Sequence, residues 1–341
     1  MKAEKWAALK EKLDKKYQYI NSLRRDGLYP GRFRLPLYIE FDLTAGCNMR
    51  CLHCYNKSGD ADQKTALKAA HWLGLCRELV DSGGVFLCNL SGGEPLLLGD
   101  DLIKIMDVLH QDGTIFILNT NGYLVDEGWV KKLSKFNYSY VQVSIDGIGE
   151  VHDRLRQKKG SFQRAVRAAE LFAEAGMTLS ITSMVTPENL DSMEQMVDLA
   201  GRVGAVAIGF SPVMYSGRSI NHQELFLNNE QLNRLQVEAC RLNAQNTIGV
   251  SYMTGQSFIY GYIPSSSGRF IIIRPSGDIR INCAAPFVLG NILEEPFTAI
   301  WQKKSLLLDN NPRILEYFSQ FDEDICKSSG IINFVDSDIR L

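Results

Sequence analysis

Nowhere does the sequence sustain an apolar run of about 18 residues, so no membrane-spanning helix is expected. The N-terminal stretch MKAEKWAALKEKLDKKYQYINSLRRDG is charged and amphipathic and lacks the apolar block of a secretory signal, which points to a cytoplasmic protein. An excess of one charge is missing too. With 37 Lys and Arg against 39 Asp and Glu the net charge is −2, and so balanced a chain has no general attraction for nucleic acid or an anionic membrane. Low-complexity tracts are absent, and the 45% hydrophobic and 22% charged content is that of an ordinary globular protein. Eight cysteines, at 47, 51, 54, 76, 88, 240, 283 and 326, occur without an export signal. That combination disfavours a disulfide framework and favours metal binding or catalysis.

What the sequence does have, from residue 37, is an alternation of two hydrophobic periods. Short β-rich runs at 37–43, 85–91, 114–120, 140–146, 178–185 and 205–211 are separated by helical spacing near 65–81, 100–110, 125–135, 161–175, 189–202 and 228–245. Six β-α units predict an α/β fold whose parallel strands are joined by crossover helices. A sheet buried on both faces would give apolar strand runs. A partial barrel and a doubly wound sheet both satisfy the pattern. In either, the loops leaving the strand C-termini gather on one edge, where such folds bind ligands.

The texture changes after about residue 246. The polar segment YIPSSSGR (262–269) leads into FIIIRPSGDIRINC, where a strand, a Pro-Ser-Gly-Asp turn and a second strand predict a β-hairpin, followed by a short helix. Three segments are expected: an N-terminal helix (4–25) with an extended arm over 1–36, an α/β core over 37–245, and a small α+β domain over 246–341.

Cys47, Cys51 and Cys54 form C-x3-C-x2-C directly after the first expected strand, on the ligand-presenting edge. A closed structural zinc site wants four protein ligands, and His53 is the available fourth, but it lies between two of the cysteines, where simultaneous ligation is awkward. Three thiolates can instead hold three irons of a 4Fe-4S cluster and leave the fourth iron open to a small molecule.

This spacing on the first of six β-α loops resembles the radical S-adenosylmethionine (SAM) superfamily. The resemblance implies a partial (β/α)6 barrel with one 4Fe-4S cluster on Cys47, Cys51 and Cys54. It also implies SAM on the open iron, cleaved on reduction to methionine and a 5'-deoxyadenosyl radical. The SGGEP stretch at 91–95 resembles the family segment that meets the SAM amino group: Gly92 and Gly93 let backbone carbonyls approach, and Glu94 answers an ammonium. NTNG (119–122), with Asn121, resembles the segment after the third strand. VSIDG (143–147) supplies Ser144 and Asp146, by resemblance near the SAM ribose and sulfonium. HDRLRQKKGSF (152–162) resembles one branch of the family and offers Arg156 to the SAM carboxylate. His53 fills the usually aromatic position where backbone approaches adenine. Taken singly, the glycines read equally as tight turns and Arg156 as a solvated loop residue.

PSGDIRINC, LGNI and FTAIW (275–301) resemble the SPASM or Twitch extension of peptide-modifying members. Only Cys283 and Cys326 are available there, too few for an auxiliary cluster, so the extension is expected to be kept for its shape. The resemblance implies hydrogen abstraction from a ribosomally made peptide, giving a crosslink or an inverted stereocentre, with an electron donor such as flavodoxin or ferredoxin. In an epimerisation, Cys283 is the first candidate hydrogen donor and Cys240 and Cys326 the next. Cys76 and Cys88 are assigned to packing. An aminosugar-like small molecule is the alternative substrate, and a non-catalytic zinc scaffold is the alternative outside enzymology.

Overall fold

The computed structural model describes residues 22, 25–26, 34–60, 65–253, 270–281, 283, 285–304, 311–319 and 338–341. Most of the expected helix over 4–25, the segment YIPSSSGR and Cys326 lie outside these residues.

Six strands form where the β-rich runs are: β1 (Tyr38–Asp42), β2 (Leu87–Ser91), β3 (Ile115–Thr120), β4 (Tyr138–Ser144), β5 (Leu179–Val185) and β6 (Ala207–Pro212). Each is parallel to the next, in chain order. That order separates the two architectures left open by the sequence. A doubly wound sheet reverses direction at a switch point and carries helices on both faces, whereas strands added in one direction by right-handed crossovers place every helix on one face. The core is a partial (β/α)6 barrel.

The helices are α1 (Ala69–Asp81), α2 (Asp100–Gln111), α3 (Glu127–Leu133), the short α4 (Glu150–Arg156), α5 (Ser161–Glu174), α6 (Met193–Arg202) and α7 (Asn229–Gln245). Their buried residues repeat at i, i+3, i+4, i+7: Trp72, Leu75, Cys76 and Leu79 in α1, and Leu102, Ile105, Met106 and Leu109 in α2. Against them lie the outward side chains of the strands, among them Ile39, Phe41, Cys88, Leu90, Phe116, Leu118, Val141 and Val143. Cys76 and Cys88 belong to this core, as expected.

The other, concave face is polar. Glu40, Asp42, Asn89, Asn119, Gln142, Ser144 and Thr182 alternate with those apolar residues, as the two-residue period of a strand requires. A ladder crosses three strands there: Asn89 Nδ2 donates to Glu40 Oε2 (2.8 Å) and Asn119 Nδ2 to Asn89 Oδ1 (2.8 Å). The strands are apolar toward the helices and polar on the concave face, because helices cover only one face of this sheet.

The sheet does not stop at residue 246. β7 (Gly249–Tyr252) pairs parallel with β6, and β8 (Phe270–Ile273) pairs parallel with β1 at the opposite edge. β8, β9 (Asp278–Arg280) and β10 (Phe287–Asn291) run antiparallel, with Gly277 in the turn at φ +92°, and β11 (Ile339–Arg340) pairs with β10. The hairpin and short helix read from the sequence are present, and the hairpin prolongs the barrel sheet from β1. Helix α8 (Phe297–Lys304) buries Phe297, Ile300 and Trp301, and Glu78 of α1 accepts from Thr298 N (2.8 Å) and Thr298 Oγ1 (2.7 Å) at its start. A last helix, α9 (Pro312–Ser319), follows.

Candidate active site

Cys47, Cys51 and Cys54 sit in the loop leaving β1, all three as free thiols, Cys51 buried and the others half-buried. The loop is held by neighbouring strand exits, mostly through main chain. Beside β2, Gly93 N donates to Thr44 O (2.6 Å) and Glu94 N to Gly46 O (2.9 Å). A Cβ on Gly93 would stand 1.9 Å from Gly46 O, so the two backbones touch there as only glycine permits. Gly92, at φ +119°, is confined in the same way against Thr44 O. After β3, Asn121 Nδ2 donates to Asn48 Oδ1 (2.7 Å) and lies 3.9 Å from Cys47 Sγ. After β4, Leu155 O accepts from Leu52 N (2.9 Å). After β6, Arg218 N donates to Cys54 O (2.9 Å).

A buried ion pair stands behind Cys51. Asp146, fully buried, meets Arg156 Nε at 2.5 Å and His53 Nε2 at 2.9 Å. Its Oδ1 accepts from Met184 N (2.9 Å). Burial opposes the charge on Asp146, yet the Arg156 guanidinium, helped by the hydrogen bond with His53, holds its carboxyl well below the usual carboxylate range. Arg156 Nη1 also reaches to 3.7 Å from Cys51 Sγ. Burial pushes the Cys51 thiol up to about 12, opposed by Arg156. His152 is buried and pushed down to about 4 by desolvation; its neutral Nδ1 accepts from Asp146 N (3.0 Å).

Glu94 points inward. With no exposed surface, it accepts from Leu96 N (3.2 Å), Thr120 Oγ1 (2.8 Å) and Asn121 N (2.8 Å), clipping the β2 exit to the β3 exit. Burial raises its carboxyl to about 7. Arg156 likewise spends its guanidinium on Asp146 and Cys51. Both side chains have protein partners, as side chains this deeply buried require.

The sequence matches the family model described as the Radical SAM superfamily over residues 41–200. It is 31% identical over 298 residues to the mycofactocin maturase MftC of Mycolicibacterium smegmatis (strain ATCC 700084 / mc(2)155), a match covering 80% of this chain and 71% of that one. The chain belongs to the radical SAM superfamily. A second relative is the AdoMet-dependent heme synthase of Methanosarcina barkeri (strain Fusaro), 29% identical over 297 residues, covering 78% of this chain and 82% of that one. Among solved structures, SuiB of Streptococcus suis bound to precursor peptide SuiA shares the fold at a TM-score of 0.66 and 16% identity, over 94% of this chain and 74% of that one.

The donor set suits the iron-sulfur cluster of a radical SAM enzyme. Three unpaired thiols share one loop, a buried guanidinium compensates the innermost, and the glycine contact at Gly93 excludes side chains from one wall. Among the described residues no three His, Cys, Asp or Glu side chains gather to hold a single ion, and thiolates that each serve a different iron need no such convergence. His53, the nominated fourth zinc ligand, has its Nε2 engaged by Asp146.

Cys283 is half-buried after β9, within electrostatic reach of Tyr38 and Tyr55 beside β1. Cys240 is exposed on α7, the helix side of the sheet, so it stands away from the concave face. Two residues escaped the sequence reading. Asn189 donates to Asp146 O (2.6 Å) and Met184 O (2.8 Å), fixing the β4 loop. Arg218 follows the sixth strand in Ser-Gly-Arg, and its signal in the sequence is a cation at the exit of a barrel strand.

Proposed function

We propose that this radical SAM enzyme cleaves SAM reductively and takes a hydrogen from a ribosomally made peptide, crosslinking it or inverting a stereocentre. The observation that carries this reading is the meeting of the β1, β2, β3 and β4 exits around three free thiols. When bound, a 4Fe-4S cluster with SAM supplies a 5'-deoxyadenosyl radical. Cys47, Cys51 and Cys54 hold that one cluster, and Arg156 donates to Cys51. Backbone at Gly92 and Gly93 and the Glu94–Asn121 clip shape the wall beside it, with His53, Ser144 and Asp146 at the β4 side. Cys283 is the hydrogen donor in an epimerisation. A flavodoxin or ferredoxin supplies the electron.

A peptide suits the concave face, where Asn119, Gln142 and Thr182 offer donors and acceptors of the kind amide groups need. The maturase relative and the peptide-bound structural neighbour support the same choice. A second reading, a haem-type small molecule, is favoured by the synthase relative, of which the match covers 82%.

The test is anaerobic reconstitution followed by iron and sulfide analysis and an assay for 5'-deoxyadenosine with SAM and a reductant. About four irons per chain and deoxyadenosine formation are expected; about eight irons would replace the single-cluster assignment, and zinc without iron would sink the enzyme reading. Product analysis with a candidate precursor peptide, against an iron porphyrin, separates the two substrates.

A further inference from the structure

The segment leaving β6 reaches back over the cysteine loop. Gly217, at φ +64°, lies so close that a Cβ there would stand 2.2 Å from Tyr55 O and 2.5 Å from Cys54 O. Ser216 Oγ donates to Tyr55 O (3.3 Å). Arg218 then makes four contacts from one residue. Its backbone N–H donates to Cys54 O (2.9 Å), Nη1 to Cys51 O (2.6 Å), and Nη2 to Ser58 O (3.0 Å) and Asp60 Oδ1 (2.5 Å). Below these polar contacts Val213 and Leu225 of the same segment pack with Leu155, and Leu52 of the cysteine loop lies against them.

Buried loop carbonyls need donors, and a planar guanidinium is the one side chain that reaches two carbonyls and a carboxylate at once. The Arg218 side chain is only 14% exposed, and its cation lies in the field of Cys51 and Cys54. A fixed positive charge beside thiolates favours the more negative state of whatever they bind, and cluster potentials respond to charge and hydrogen bonding near the sulfurs.

We infer that Gly217 and Arg218 form a clamp on the carbonyls of the cysteine loop, with Arg218 a positioning residue that retains the cluster and sets its reduction potential. This rests on the reading that Cys47, Cys51 and Cys54 hold a 4Fe-4S cluster.

The experiment compares wild type, Arg218→Met and Arg218→Lys as full chains reconstituted anaerobically. Its readouts are iron release to a chelator, the midpoint potential of the bound cluster, and urea unfolding of the cluster-free protein. Arg218→Met is expected to release iron roughly tenfold faster or more and to show a more negative midpoint, with little change in cluster-free unfolding. Arg218→Lys keeps the charge without the fork, so its potential stays near wild type while iron release is intermediate. Asp60→Asn, which removes one partner and spares the arginine, speeds iron release by less, while the loss of its negative charge moves the midpoint the other way, to a less negative value. Wild-type iron release and potential in Arg218→Met would overturn the clamp, as would weaker cluster-free unfolding with an unchanged potential, the mark of a merely structural arginine. Iron bound by wild type but indifferent to Arg218 refutes the clamp alone; no iron in wild type refutes the cysteine assignment with it.

Discussion

Asp146 has no exposed surface and is paired with the Arg156 guanidinium, so removing Arg156 leaves a buried charge without its counter-ion. Arg156→Met is expected to destabilise the cluster-free protein by about 3–5 kcal/mol in urea unfolding, and adding Asp146→Asn should restore part of that loss. Glu94 gives a pH signature. An unfolded glutamate ionises near 4.5 and the buried one at about 7, so the folded state binds the extra proton between those values and stability falls as pH rises through them. Glu94→Gln lacks this component, so the stability advantage of wild type over the variant should shrink between about pH 5 and about pH 8. Both charges stood in motifs legible in the sequence, whereas their partners did not. Asp146 and Arg156 are ten residues apart, and nothing local to Glu94 announces Thr120 as its hydrogen-bond donor. A motif fixes where a residue leaves its strand; burial, decided by distant segments, fixes what its charge is used for.

Two glycines on neighbouring elements carry opposite expectations. Gly93 meets Gly46 O where the β2 exit crosses the cysteine loop, and Gly93→Ala must push that loop aside. Iron retention and deoxyadenosine formation are expected to drop tenfold or more, read by iron analysis and product assay. Gly74 lies inside α1 with open space around its missing Cβ. Gly74→Ala should raise the unfolding free energy by about 0.5–1 kcal/mol and leave iron content unchanged. Elements of this kind were the most legible part of the sequence, since the i, i+3, i+4, i+7 pattern of α1 and α2 is local. The short α4 was not, because its seven residues carry the family motif and show too few turns for a period to emerge. The pairing of β8 with β1 was equally hidden, as a parallel contact between strands 232 residues apart (Tyr38 to Phe270) leaves no mark in either.

At the scale of the molecule, that pairing makes the C-terminal region part of the barrel. A chain ending at residue 245 would lose β7 through β11, expose the hydrogen-bonding edge of β1 beside the cysteines, and uncover the surface of α1 packed by α8. Such an edge invites association. The truncated protein is therefore expected to aggregate on gel filtration and to lack a single cooperative urea transition, while the full chain shows one. A stable, cooperative fragment would assign residues 246–341 to an independent unit. The two-faced strands have another consequence. Because alternate residues face the helices on one side and the concave surface on the other, variation at 142 and 182 is expected to alter what the barrel accepts without disturbing Val141 or Ile181 behind them. A library confined to those two positions, which spares the Glu40–Asn89–Asn119 ladder, would explore new specificities at nearly constant melting temperature, so the scaffold separates inheritance of the fold from invention of its chemistry.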